Sequence, residues 1–380
     1  MKLGIKSMKL NAPPQLTHRL FKARLLAVAS LTLWFATAES RAEKPASVPG
    51  QEFTAEIQVS WMNSAWSVFF ANKGKQPALD DWWLTEAKWE TALKSREALE
   101  KLMTKKDKSE TLPVTFKLWV PEGVKCIKGL VVASGHGTGA TFYKSDDLRK
   151  IAAELHLGLL TFIGQNMQRG FWPTSLFYDQ VKGLSQASSH PELENVPLFL
   201  YGHSNGTGFS GIFPGLHPDR VWGWISMRPG AVRQVYQPKA ATVPGMVMFG
   251  EKDHFFYEPS CQQNIGIIGG LRKEHSSMVH MVVQPGQGHS PDEKAWELVH
   301  AFIKESFAAR VPADSDPLKG PVKLTSLKLE DGYLGQNWGP AKGGKQELPV
   351  MPYSEFKGDM ATTSWLINAA YAKAWQELQR

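Results

Sequence analysis

Cysteine is scarce: Cys126 and Cys261 are the only two in 380 residues. That excludes a disulfide-stapled scaffold, and neither has the spacing to other ligands that a zinc site needs. One disulfide and two separate thiols both remain open at this stage. Long apolar runs are also missing. The run at 25–35 is 11 residues, too short to span a bilayer comfortably. There is no internal repeat and no low-complexity tract. Excess charge is absent from the body of the chain. The formal charge is +7, but Lys2, Lys6, Lys9, Arg19, Lys22 and Arg24 stand in the first 38 residues without an acid. Six of the seven net charges therefore lie in that segment. A nucleic-acid partner is not implied by the balance that is left.

With 42% apolar and 21% charged residues, the chain can bury a sizeable core. Its first 38 residues read as a secretory signal. A basic stretch ends at Arg24, the apolar run follows, and Ala36-Thr37-Ala38 supplies a small-x-small cleavage site. Ser40-Arg41-Ala42 is a second choice, and an uncleaved anchor is the alternative. The expectation is an exported protein, periplasmic or extracellular, with no stable membrane anchor after cleavage. Oligomeric state has no signature here.

The texture divides the rest into an aromatic-rich and helical extension at 43–111, a core at 112–310 and a second extension at 311–380. Within the first, 43–53 is a polar lead-in, 54–83 is aromatic-rich with short strands left open, and 84–103 has helical periodicity. Strands are expected at 114–120 (an early strand, read as an edge strand), 130–133, 159–163, 198–201, 221–227, 246–249 and 279–283. Helices are expected at 146–156, 176–189, in part of 259–274, and from Ser290-Pro291-Asp292-Glu293, a capping box with proline at its first position, to about 307. A last helix is expected at 363–378. Apolar strands alternating with helices predict an α/β fold: a mostly parallel central sheet with helices on both faces.

The chemistry gathers around Gly202-His203-Ser204-Asn205-Gly206, which follows the strand at 198–201. A serine on a sharp strand-to-helix turn is held in strained backbone angles, and side chains two residues to either side would collide. Glycine at both flanks removes the collision. Ser204 is thus the candidate nucleophile. A serine hydroxyl needs a base, and the base needs a carboxylate to set its tautomer. Asp253 follows the strand at 246–249, with Glu251 two positions away, and His289 follows the strand at 279–283. In a parallel sheet these loops share the C-terminal edge. The oxyanion needs two backbone donors. Asn205 N–H is one. The other comes from Ser134-Gly135-His136-Gly137-Thr138-Gly139, with Thr138 favoured and Gly137 the alternative. That loop lacks the Lys-Ser/Thr ending of a P-loop. His136, His203 and His254 are expected to be structural or incidental neighbours.

The 202–206 elbow, the His136-Gly137 loop and the Ser204, Asp253, His289 order resemble the α/β-hydrolase superfamily across about 112–308. Pro191-Glu192-Leu193, Val196-Pro197-Leu198 and Gly-His-Ser-Asn-Gly resemble the secreted esterases of the polyhydroxybutyrate-depolymerase and feruloyl-esterase-like group. Dienelactone hydrolases are a related comparison, but they use a cysteine nucleophile. The elbow differs in carrying Gly206-Thr207 where many such esterases have Gly-Gly. The resemblance implies acyl transfer to water through an acyl-enzyme, with no metal or organic cofactor. It implies a small-molecule or polymeric ester as the partner: an acylated polysaccharide, a phenolic ester or a polyester. Pocket candidates are Phe142, Tyr143, Phe171, Trp172, Arg228, Phe255, Phe256 and Tyr257, each of which fits core packing as well. Two other readings stay open: a serine peptidase on the same fold, and a non-catalytic glycan-binding protein that uses the tryptophan-rich flanks.

Overall fold

A computed structural model describes residues 48–60, 111–164, 175–229, 238–257, 259–337 and 349–379. The signal segment, the helix expected at 84–103, Phe171 and Trp172 lie outside these residues.

Eight strands form the main sheet: β1 (Gly50–Ser60), β2 (Thr111–Pro121), β3 (Gly129–Ser134), β4 (Leu157–Ile163), β5 (Leu198–His203), β6 (Val221–Met227), β7 (Gly245–Gly250) and β8 (Val279–Gln284). Their order is β1-β2-β4-β3-β5-β6-β7-β8. β3 to β8 run parallel, whereas β2 is antiparallel to β4 and β1 to β2. The intervening helices are α1 (Gly139–Tyr143), α2 (Asp146–Leu155), α3 (Ser175–Ser188), α4 (Thr207–Leu216), α5 (Pro259–His275) and α6 (Glu293–Arg310). This is the α/β-hydrolase fold.

Strand periodicity sorts the core into two layers. Leu130, Val132, Leu198 and Leu200 pack with Phe177, Val181, Phe209 and Phe213 of α3 and α4. Val131, Ala133, Phe199 and Tyr201 face the other way, toward Leu148 and Ile151 of α2 and Leu298, Phe302 and Ile303 of α6. Local signals set the helix ends. Ser145 accepts from the Leu148 N–H at 3.4 Å and caps α2, whose first turn carries Asp146 and Asp147. The cap of α6 is Asp292, which accepts from the Ala295 N–H at 3.0 Å, rather than Ser290. A carboxylate at the last residue before the helix reaches the free N–H groups better than a hydroxyl two residues earlier.

Two expectations about the flanks change. The sheet begins inside the polar lead-in, because Gly50–Ser60 pairs along the whole of Thr111–Pro121. Among its described side chains Phe53, Ala55 and Ile57 turn to the core, and the polar residues between them make the strand read as polar in sequence. With β1 beside it, β2 is an interior strand.

The C-terminal extension forms a second, three-stranded sheet and a helix: β9 (Tyr333–Gln336), β10 (Val350–Pro352), β11 (Thr363–Leu366) and α7 (Ala369–Leu378). The helix expected at 363–378 is therefore a strand followed by a shorter helix, with Asn368 capping α7 through the Tyr371 N–H at 2.9 Å. The extension covers the open edge of β8. Ser364 Oγ accepts from the Met281 N–H at 2.7 Å, Gln379 Oε1 accepts from the Val283 N–H at 2.9 Å, and Trp375 Nε1 donates to the Met281 carbonyl at 2.8 Å. Side chains thus satisfy an edge that would otherwise invite another strand. Trp375 is fully buried. Trp375→Ala is expected to destabilise the fold by about 4 kcal/mol, read as a lowered urea midpoint. An unchanged midpoint would show that the extension adds little to the core.

Cys126 is a free thiol whose Sγ donates to the Ile127 carbonyl at 3.7 Å. Burial, then nearby Glu192, pushes its pKa up, which makes it a poor thiolate.

Candidate active site

β5 delivers Ser204 at its C-terminal end. Ser204 has φ 55, in the left-handed region that non-glycine residues avoid. The chain then passes through a short 3-10 turn, Ser204–Gly206, into α4. A Cβ at residue 202 would lie 2.3 Å from the Gly206 carbonyl oxygen, and one at residue 206 would lie 2.8 Å from Ser134 Oγ. Both flanking glycines are therefore sterically required. The N–H groups of the first turn, Asn205 among them, stand at the positive end of α4.

β7 and β8 bring the acid and the histidine together. His289 Nδ1 lies 2.7 Å from Asp253 Oδ2. The Phe255 N–H donates to Asp253 Oδ1 at 3.1 Å. The side chain of Asp253 is 3% exposed and that of His289 30%. Burial alone would raise the Asp253 pKa; the hydrogen bond and charge of His289 outweigh it and hold the carboxyl below its usual range. The two turns are tied to each other. The Glu251 N–H donates to the Gln284 carbonyl at 3.0 Å and the Lys252 N–H to the Gln287 carbonyl at 2.8 Å. Glu251 accepts from the Gly286 N–H at 2.7 Å, so it braces the histidine turn and does not compete for the ring. His254 is exposed, with Nδ1 at 3.7 Å from Asp253 Oδ1. No hydrogen bond joins Ser204 to His289 among the described residues; in unliganded sites such contacts are often long.

The glycine loop after β3 reaches the elbow. Gly137 has φ 58, and a Cβ there would fall 1.9 Å from His203 Nδ1. Thr138 is held twice: its N–H donates to His203 Nδ1 at 3.2 Å, and its Oγ1 lies 2.6 Å from the Tyr201 hydroxyl. The favoured oxyanion donor is thus already engaged. The Gly137 N–H has no hydrogen-bond partner among the described residues. Sequence spacing alone does not reveal that the histidine in the variable slot of the elbow would reach this loop.

The pocket candidates divide. Phe255 is half-buried with its ring edge-on to His289, centroids 5.2 Å apart. Tyr143 is not a wall of the site. It is buried in the core layer, and its hydroxyl donates to Glu52 at 3.0 Å, because α1 turns it back toward β1. Burial, followed by Glu52, raises its pKa far above the ordinary value. Phe142 is likewise core, stacked on Tyr201 at 4.2 Å. Phe256 is buried and packs on Phe249 at 5.3 Å.

Arg228 does not reach out to a ligand either. It follows β6 with φ 46 and is fully buried. One of its η nitrogens donates to Gln284 Oε1, and Gln284 Nε2 donates in turn to the Asp292 cap of α6. Its Nε and other η nitrogen have no hydrogen-bond partner among the described residues. Burial pulls its pKa down to about 10, opposed by Asp253, Tyr201 and Asp292, so it stays a cation behind the site.

Among the described residues, no group of three His, Cys, Asp or Glu is placed to hold a metal ion, and no helix is long and apolar enough to cross a membrane.

Solved structures similar to this chain include a poly(3-hydroxybutyrate) depolymerase from Bordetella parapertussis, 15% identical, covering 62% of this chain and 98% of its own, TM-score 0.39. An S-formylglutathione hydrolase from Agrobacterium tumefaciens is 13% identical over 52% of this chain and 93% of its own, TM-score 0.37. A serine hydrolase homologue from Coxiella burnetii is 18% identical over 50% of this chain and 91% of its own, TM-score 0.34. No protein-family model and no curated protein matches the chain.

Proposed function

We propose that the chain is a serine hydrolase of carboxylic esters, exported through its N-terminal 38 residues and acting on an acylated polysaccharide, a phenolic ester or a polyester. The observation that carries this reading is the elbow: Ser204 held at φ 55 at the same sheet edge as the Asp253–His289 pair. A serine is kept in that strained region only where the surroundings over-determine it. Ser204 attacks the ester carbonyl, His289 takes its proton and returns it to the leaving alcohol, and Asp253 fixes the ring with its proton on Nδ1. The charge developing on the carbonyl oxygen is met by the N–H groups of Asn205 and Gly137. Phe255 supports an apolar or aromatic group beside His289.

The test is covalent. A fluorophosphonate probe is expected to label the mature protein at Ser204, with turnover of para-nitrophenyl acetate lost in the labelled fraction. Absence of both labelling and turnover across short and long acyl esters would overturn the reading. Gly137→Ala supplies a second check. The added methyl meets His203 Nδ1 at 1.9 Å, so the loop must move, and kcat is expected to fall about 10²-fold. A variant with wild-type kcat would remove Gly137 from the oxyanion site.

A further inference from the structure

His203 has no assigned part in the reaction, yet it touches the main chain of both the oxyanion loop and the turn that carries the base. It fills the variable slot of the elbow and is 4% exposed. The Thr138 N–H donates to its Nδ1 at 3.2 Å, and its Nε2 lies 2.9 Å from the His289 carbonyl oxygen. Its ring stands 4.9 Å from that of His289, centroid to centroid. A backbone N–H can only donate, so Nδ1 carries a lone pair, and the remaining proton of a neutral ring sits on Nε2, where it donates to the carbonyl. Both bonds are satisfied by one tautomer of the neutral ring. A protonated ring would lose the first.

We propose that His203 is a positioning residue that ties the oxyanion loop to the turn carrying the base. It reaches the loop through the Thr138 N–H and the base through the His289 main chain, while its own backbone leads directly into Ser204. The three parts of the apparatus come from β3, β5 and β8, and among the described residues the imidazole is the one side chain that bonds to both of the other two. The tie accounts for the close approach of Gly137, whose missing Cβ leaves room for Nδ1. It also gives the Thr138 N–H a task other than oxyanion binding. This inference rests on the hydrolase reading for its catalytic consequence, but the tie itself does not.

Three variants separate the two bonds. His203→Asn places an amide near Nδ1 that can accept from Thr138 but is too short to reach His289. His203→Gln reaches toward the His289 carbonyl. His203→Ala removes both bonds. Hydrogen exchange over 135–139 is expected to quicken at least tenfold in the alanine variant and to stay near wild type in the asparagine variant. For para-nitrophenyl acetate, kcat of the alanine variant is expected to fall about 10²-fold, the scale of a misplaced oxyanion donor, with KM within twofold. Affinity for a boronate transition-state analogue should fall by the same factor as kcat. The asparagine and glutamine variants should each recover part of the loss. Unchanged loop exchange in both the alanine and glutamine variants overturns the tie, and wild-type kcat with quickened exchange overturns its catalytic consequence. If the wild type turns over no ester while the alanine loop still opens, the tie stands and the hydrolase reading fails.

Discussion

Ser204→Ala is expected to lower kcat for para-nitrophenyl acetate by roughly 10⁴–10⁶-fold and to leave the fold intact. The loss is large because covalent attack disappears and any residual rate must come from water activated in the same pocket. The fold survives because alanine keeps the Cβ, and with it the same strained backbone at φ 55. Ser204→Gly separates the two consequences. It is equally inactive, but it relieves the left-handed strain and is expected to be more stable than the alanine variant by about 1 kcal/mol. Turnover within tenfold of wild type in either variant would dismiss Ser204 as nucleophile. A glycine variant no more stable than alanine would mean the elbow is not strained.

Asp253→Asn is expected to lower kcat about 10⁴-fold with little change in shape. An asparagine oxygen can still accept the Phe255 N–H, now at 3.1 Å. The amide that replaces the other oxygen donates, so His289 must present a bare Nδ1 and carry its proton on Nε2. A ring in that tautomer cannot take the proton of Ser204. Glu251→Gln is the control: its carboxylate braces the Gly286 N–H, and its loss should cost less than tenfold. Equal losses in the two variants would reassign the acid.

The same carboxyl gives a signed pH dependence. Its pKa is held below the usual value in the folded state. Its contribution to stability is therefore present above the ordinary carboxylate pKa of about 4 and is lost as pH falls through the folded value. His203 is pushed down to about 3, chiefly by burial. Below about 6.5 the unfolded chain takes up a proton there that the folded chain does not, which also weakens the fold in acid. Asp253→Asn should flatten the carboxylate part of that acid limb and leave the histidine part, as followed by urea unfolding between pH 3 and 7.

What sequence reveals here follows from the range of the forces involved. The elbow is legible because glycine at 202 and 206 is a local steric demand. The meeting of Asp253 and His289 is legible because each follows a short apolar strand, and a parallel sheet sends such loops to one edge. The engagement of Thr138 is not legible, since it depends on which way one amide points after two loops have met. Arg228 reads as a pocket candidate after a strand, and only the packing of β6 against its neighbours shows that its left-handed turn sends it inward. β9 to β11 are missed, and β1 is met only by short strands left open from 54 onward, for another reason. Their strands are short or half-polar, and the apolar pattern that would mark them is shared with side chains far along the chain.

The clasp on β8 sets an order of events during synthesis. The Met281 and Val283 amides find their partners 83 and 96 residues downstream, in Ser364 and Gln379. Every candidate catalytic residue has been translated by residue 289, well before those partners exist. A nascent chain can thus bring the serine, acid and base turns into being while the last strand still lacks its cover. The interval between residues 284 and 379 is the period in which β8 is open to pairing with another chain, and in which a holding chaperone would do the most to protect it.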